Sequence, residues 1–167
     1  MTRPKAWIHE EPENLHDCRV FRLARAPARS PHSGESHTFY RIDADDWVNV
    51  VPVTRAGEIV MVRQYRHGAR AVTLEIPGGM VDPGETPAEA AARELLEETG
   101  YAGASLEPLG AVNPNPAVFG NRCHTFVMRL LLKASTNSLR TLPDERFPSA
   151  ESVASSFTFQ SPPAKEW

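Results

Sequence analysis

The chain has 167 residues, 41% of them hydrophobic, which allows one domain with a sizeable core and a short appended element. Its 18 basic residues are outnumbered by 21 acidic ones, and the formal net charge of −3 argues against a nucleic-acid backbone as partner. No apolar run is long enough to span a bilayer, residues 1–8 lead into Glu10, Glu11 and Glu13 rather than an apolar signal core, and Cys18 and Cys123 lack metal-ligand spacing, so the expectation is a cytoplasmic protein with reduced thiols and no membrane partner.

In chain order, residues 1–17 are polar and read as irregular. Residues 18–25 alternate apolar and basic side chains, as a strand does, and residues 27–34 form a turn-rich connector. Residues 37–42 read as a second strand that can partner the first. Residues 47–54 and 58–65 are strands joined by a hairpin turn at Arg55-Ala56-Gly57, and residues 71–76 form a strand ended by Pro77-Gly78-Gly79. A helix follows, with Thr86 as N-cap, Pro87 at the first helical position, Glu89 completing a capping box and Gly100 just past the C-terminus. A Pro-rich loop at 113–122 precedes a strand at about 124–132. From Lys133 onward Ser, Pro and Thr become frequent, strand signals are weak (near Val153 and at 157–159), and no helical period appears. The expected division is a β element at 1–45, a core at 46–133 and an atypical segment at 134–167.

The helix carries the chemistry. With Glu94 set to zero, Glu98 lies at about +40° and Glu97 at about −60°, so three carboxylates share one sector. Ala88, Ala92, Leu95 and Leu96 fall on the other side, where they can pack on a sheet and leave the acidic face outward or in a cleft. Like charges at i and i+4 destabilise a helix by about 0.2–0.5 kcal/mol, and a hard divalent cation such as Mg²⁺ removes the repulsion. Arg93 can reach Glu97 one turn on or fold back to Glu85, and Gly78-Gly79 lets backbone approach a ligand closely.

The stretch from Gly79 to Tyr101 resembles the Nudix box, G-x5-E-x7-R-E-U-x-E-E-x-G-U, with U bulky and apolar. Gly79, Glu85, Arg93, Glu94, Leu95, Glu97, Glu98 and Gly100 fall at the required spacings, and Tyr101 takes the last bulky position. The resemblance implies an α/β fold: an α/β/α sandwich with a mixed sheet, preceded here by a small N-terminal β element. It also implies Mg²⁺-dependent hydrolysis (Mn²⁺ being an alternative ion) of a nucleoside diphosphate linked to another group. Carried over by position, Glu94, Glu97 and Glu98 are metal ligands together with the backbone carbonyl near Gly78, while Glu85 and Arg93 orient them.

Outside the box, Val62-Arg63-Gln64-Tyr65-Arg66-His67-Gly68, followed by Leu74-Glu75-Ile76-Pro77-Gly78-Gly79, resembles the ADP-ribose and nucleoside-diphosphate-sugar pyrophosphatases. In that group an arginine placed like Arg66 contacts substrate phosphate or pairs with the acid at Glu75. Pro116 sits at the offset of a proline in the ADP-ribose subgroup, and nearby Phe119 either stacks on a base or packs on its own domain. Glu145, in the acidic pair Asp144-Glu145, is a candidate general base by position, against a solvated loop acid. The strands around 18–42 resemble a small β element through which such enzymes form homodimers. The C-terminal helix that covers the sheet in this family has no supporting period between Ser149 and Trp167. Two other readings stay open: a nucleoside-triphosphate pyrophosphohydrolase, opposed by the N-terminal strands and the 63–79 segment, and a non-catalytic ADP-ribose sensor, opposed by the retained Glu94, Glu97 and Glu98.

Overall fold

A computed structural model describes residues 3–129, 132–133 and 155–157. The chain divides into two units, one from Met1–Asp46 with Val112–Cys123 and one from Trp47–Ala111 with His124–Trp167.

The first unit holds β1 (Ile8–His9), β2 (Glu13–Asp17), β3 (Phe21–Arg29) and β4 (Ser36–Ala44). β3 is central: β4 pairs along one edge, while β1 and β2 share the other, all antiparallel. The 18–25 strand begins late, because Arg19 adopts a left-handed φ of 68° in the turn that closes the β2–β3 hairpin. It also runs through Pro27. Glu10 N donates to the Pro27 carbonyl at 3.0 Å, between the β1 and β2 ladders, so the missing proline N–H falls where that edge is already interrupted. β2 was not visible in the sequence because all five of its residues are exposed and no apolar alternation marks it. The 113–122 loop belongs to this unit: Ile42 N donates to the Val118 carbonyl at 2.9 Å, and Asn121 Nδ2 donates to the Asp45 carbonyl at 2.9 Å.

The second unit continues with β5 (Trp47–Val53), β6 (Ile59–Arg66), β7 (Ala71–Glu75), β8 (Gly78–Met80), α1 (Pro87–Thr99), β9 (Tyr101–Ala102), β10 (Ser105–Val112), β11 (Cys123–Arg129), β12 (Leu132–Lys133) and β13 (Ser155–Phe157). Its main sheet runs β10-β11-β5-β6-β13, with β7 also on β6 and β8 also on β5. The 55–57 hairpin turn forms as read, with Gly57 at φ 82° and Thr54 N bonded to the Glu58 carbonyl at 2.9 Å. β8 and β10 escape the sequence reading because glycines, and Pro108 in β10, lower their strand propensity. The strand signal at 157–159 is realised at 155–157, antiparallel to β6. The remaining C-terminal residues, including the questioned covering helix, lie outside the described residues.

α1 packs on β5 and β8, and its core contact unites Ala90, Ala91 and Leu95 with Val48, Val50, Val60, Phe126 and Met128. Burying Leu95 fully contributes about 1.5–3 kcal/mol. This corrects the packing face read from the sequence. Leu95 is buried, but Ala88 and Ala92 are exposed and Leu96 is only partly covered. The buried stripe runs from about −40° (Ala90) to about +100° (Leu95), so Glu94 and Glu98 lie within it. The reason is steric: short alanines on α1 and glycines on β8 bring helix and sheet close while leaving room for two carboxylates.

Candidate active site

Local sequence fixes the start and end of α1. Thr86 Oγ accepts from Glu89 N at 3.3 Å while Thr86 N donates to Glu89 Oε2 at 2.8 Å, which is the expected capping box. Gly100, at φ 69°, closes the far end by donating to the Leu96 carbonyl at 2.8 Å.

Arg93 then organises the acidic residues. Its Nε and Nη2 grip Glu85 at 2.9 and 2.8 Å, and Nη2 also donates to the Met80 carbonyl at 3.0 Å. Nη1 reaches Glu94 at 2.8 Å and Glu97 at 3.3 Å, and Asp82 pairs more loosely at 3.8 Å. Both contacts foreseen for Arg93, to Glu97 and back to Glu85, are therefore made. The Glu94 side chain is 14% exposed and that of Glu97 is 51% exposed, so the two carboxylates meet different surroundings. Glu98 turns the other way and accepts from Gly78 N at 3.1 Å.

The two glycines act differently. A Cβ on Gly79 would lie 2.1 Å from Glu94 Oε1, so this position must be bare for the carboxylate to rest there. A Cβ on Gly78 would lie 2.3 Å from the Val48 carbonyl oxygen, against rigid strand backbone.

Electrostatics follow from these contacts. The Arg93 guanidinium beside Glu85 holds that carboxyl below its ordinary value. Burial pushes Glu94 up, against the pull of Arg93. Burial also pushes Glu98 up to about 7; the Gly78 N–H opposes this, and the neighbouring Glu94 charge adds to it.

Among the described residues no three His, Cys, Asp or Glu side chains converge as a ready-made metal cage. Arg93 explains this, since it draws Glu94 and Glu97 to itself while Glu98 bonds to Gly78 N. The donor set nonetheless fits a hard divalent cation: the carboxylate oxygens of Glu94 lie beside a bare Gly79, and burial, with the neighbouring Glu94 charge, pushes Glu98 up to about 7.

The other residues read from the sequence are distributed as follows. Arg66 and Glu75 form a bidentate pair, Nε to Oε1 at 2.9 Å and Nη2 to Oε2 at 2.6 Å, close enough to Glu98 to affect its ionisation. Pro116, exposed, and Phe119, partly buried, belong to the first unit, where Phe119 bridges to Ile42. Glu145 lies outside the described residues. The sequence reading missed three participants: the Met80 carbonyl, Asp82 and Thr73. Thr73 donates to Glu75, and its i, i+2 spacing on a strand was the available signal.

With this geometry in view, the comparisons with known proteins converge. A family model described as the NUDIX domain matches residues 45–166. An ADP-ribose pyrophosphatase of Bacillus subtilis (strain 168) is 39% identical over 80 residues, 48% of this chain and 43% of that protein. The ADP compounds hydrolase NudE of Escherichia coli (strain K12) is 31% identical over 105 residues, covering 62% and 56% respectively. The chain thus spans about half the length of the curated relatives it matches. A crystal structure of an ADP compounds hydrolase superposes with a TM-score of 0.77 at 23% identity, over 94% of this chain and 80% of that one, which shows the shared fold. The chain belongs to the Nudix family. Nudix hydrolases generally use divalent metal cations. Among the described residues no helix is long and apolar enough to cross a membrane.

Proposed function

We propose that this chain hydrolyses the diphosphate bond of ADP-ribose or a related nucleoside diphosphate sugar, with Mg²⁺, to a nucleoside monophosphate and a sugar phosphate. The observation that carries this reading is the pairing of Glu94 and Glu98 on the sheet-facing side of α1, with Glu94 against the bare Gly79 and Glu98 on Gly78 N. The names of the relatives support the substrate class, since they include an ADP-ribose pyrophosphatase and an ADP-sugar pyrophosphatase.

In this reading Glu94, Glu97 and Glu98 hold the ion with the Gly78 carbonyl. When bound, Mg²⁺ supplies charge neutralisation for the diphosphate and lowers the pKa of water. Arg93, gripped by Glu85, orients Glu94 and Glu97 through its Nη1. Water adds to one phosphorus, the bridging oxygen leaves on the other, and a carboxylate takes the water proton. Glu97, the exposed member of the set, and Glu145 are the two candidates for that proton, and turnover of E97Q against E145Q separates them.

The test is a Mg²⁺-dependent panel of ADP-ribose, UDP- and GDP-sugars, dinucleoside polyphosphates and dNTPs, with products identified by chromatography. Hydrolysis of ADP-ribose or a nucleotide sugar is expected, falling at least about a hundredfold in E98Q. Full turnover in E98Q overturns the metal assignment. No hydrolysis of any panel member overturns the reading as an enzyme.

A further inference from the structure

β6 and β7 pair in register, Gln64 opposite Thr73, Arg66 opposite Ala71 and Val62 opposite Glu75. With the two-residue alternation of strands, Gln64, Arg66, Thr73 and Glu75 share one face. Arg66 and Glu75 sit at opposite ends of that face, roughly four residues apart at about 3.4 Å per residue, so each side chain runs along the strands toward the Gln64–Thr73 pair to meet the other. Thr73 lies beneath the meeting point. Its Oγ1 donates to Glu75 Oε1 and is also 3.1 Å from the Gln64 carbonyl. A hydroxyl has one proton, and the anionic carboxylate is the stronger acceptor of the two.

We infer that Thr73 is a positioning residue: it fixes Glu75, and Glu75 in turn fixes the Arg66 guanidinium so that one edge of it faces a substrate phosphate. Glu75 takes the Nε and Nη2 side of that plane. The opposite edge, with Nη1, carries none of these bonds, and the Arg66 side chain is 49% exposed. A guanidinium locked along one edge presents the other in a defined direction, and paired N–H groups match a phosphate. Arg66 and Glu98 interact through their charges, so the guanidinium as a whole lies in the neighbourhood of that carboxylate. The inference rests on the reading of the chain as a diphosphate hydrolase and adds a residue that the Nudix box does not contain.

Thr73→Val tests it with little disturbance of the fold, because valine has the same shape, favours strands and leaves the β6–β7 ladder intact. The first measurement is calorimetric titration of ADP-ribose into the full chain in EDTA, for wild type, R66A, T73V and T73S. The second is steady-state kinetics of the same proteins with Mg²⁺. R66A is expected to weaken binding about tenfold or more, T73V about three- to tenfold, and T73S to restore binding to within about twofold of wild type. In T73V the loss appears as a raised KM, with kcat changed less than about twofold. If R66A weakens binding while T73V binds as wild type, the role of Thr73 falls and the functional reading stands. Unchanged binding in R66A also overturns the inference, since the exposed edge then meets no phosphate. A T73S defect equal to that of T73V also overturns the role, since serine keeps the hydroxyl and the loss then does not follow the bond to Glu75. A wild-type chain that neither binds ADP-ribose nor hydrolyses any member of the panel removes the functional reading and this inference together.

Discussion

Arg93 and Arg66 are both strand-side or helix-side arginines gripping a glutamate in bidentate fashion, yet they live in different surroundings. Arg93 is 28% exposed and is shared among Glu85, Glu94, Glu97, Asp82 and the Met80 carbonyl. Arg66 is 49% exposed and, among the described residues, pairs with Glu75. The difference separates two uses of one side chain. An arginine surrounded by several carboxylates is a fixed part of the frame, whereas one held along a single edge keeps bonding capacity for something that arrives later.

The most drastic way to break the comparison is to remove each arginine in turn. R93A strands Glu85 and Glu94 partly buried without their cation, and is expected to cost about 2–4 kcal/mol in urea unfolding. R66A removes an exposed pair and is expected to cost less than about 1 kcal/mol. Equal losses would abolish the distinction.

A second test uses pH. Glu98 has a raised carboxyl in the folded state, at about 7, against an ordinary value of 4.5. The folded protein therefore binds more protons than the unfolded chain across that window, and stability in EDTA falls as pH rises from 4.5 toward 7. The expected fall is about 2 kcal/mol relative to E98Q, which lacks the titrating group. A divalent cation should flatten the slope; parallel curves for wild type and E98Q in EDTA would rule out the buried-charge account.

The glycines sharpen the picture on a smaller scale. G78A drives a methyl into the Val48 carbonyl and is expected to cost about 1–3 kcal/mol. G79A meets only the end of the Glu94 side chain, so it should cost less than about 1 kcal/mol while weakening Mg²⁺ affinity measured by calorimetry. Loss of stability without loss of metal affinity in G79A would place the ion elsewhere.

Much of the site was legible because its signals are local. Thr86, Pro87, Glu89 and Gly100 define a helix by short-range hydrogen bonding, and the spacing of Arg93 from Glu85 and Glu97 sets contacts that the folded chain makes. The buried face of α1 was not legible, because a hydrophobic pattern cannot show that two glutamates share the stripe of Ala90, Ala91 and Leu95. That arrangement depends on Gly78 and Gly79 across the gap, a tertiary fact. β2, β8 and β10 were missed for a related reason: each is held by its neighbours rather than by its own composition. The role of Thr73 needed the β6–β7 register, which no single strand contains.

The first unit is assembled from two stretches of chain, and the second of these, Val112–Cys123, is spelled out inside the sequence of the other unit. Anyone recombining this chain with a relative therefore faces a constraint that a cut near residue 45 would hide. A transplanted N-terminal segment would arrive without the Val118 carbonyl that pairs with Ile42, and the recipient's own 113–122 loop would be left to find new backbone partners. The two stretches form one heritable module, and chimeras that move them together should fold more readily than those that split them.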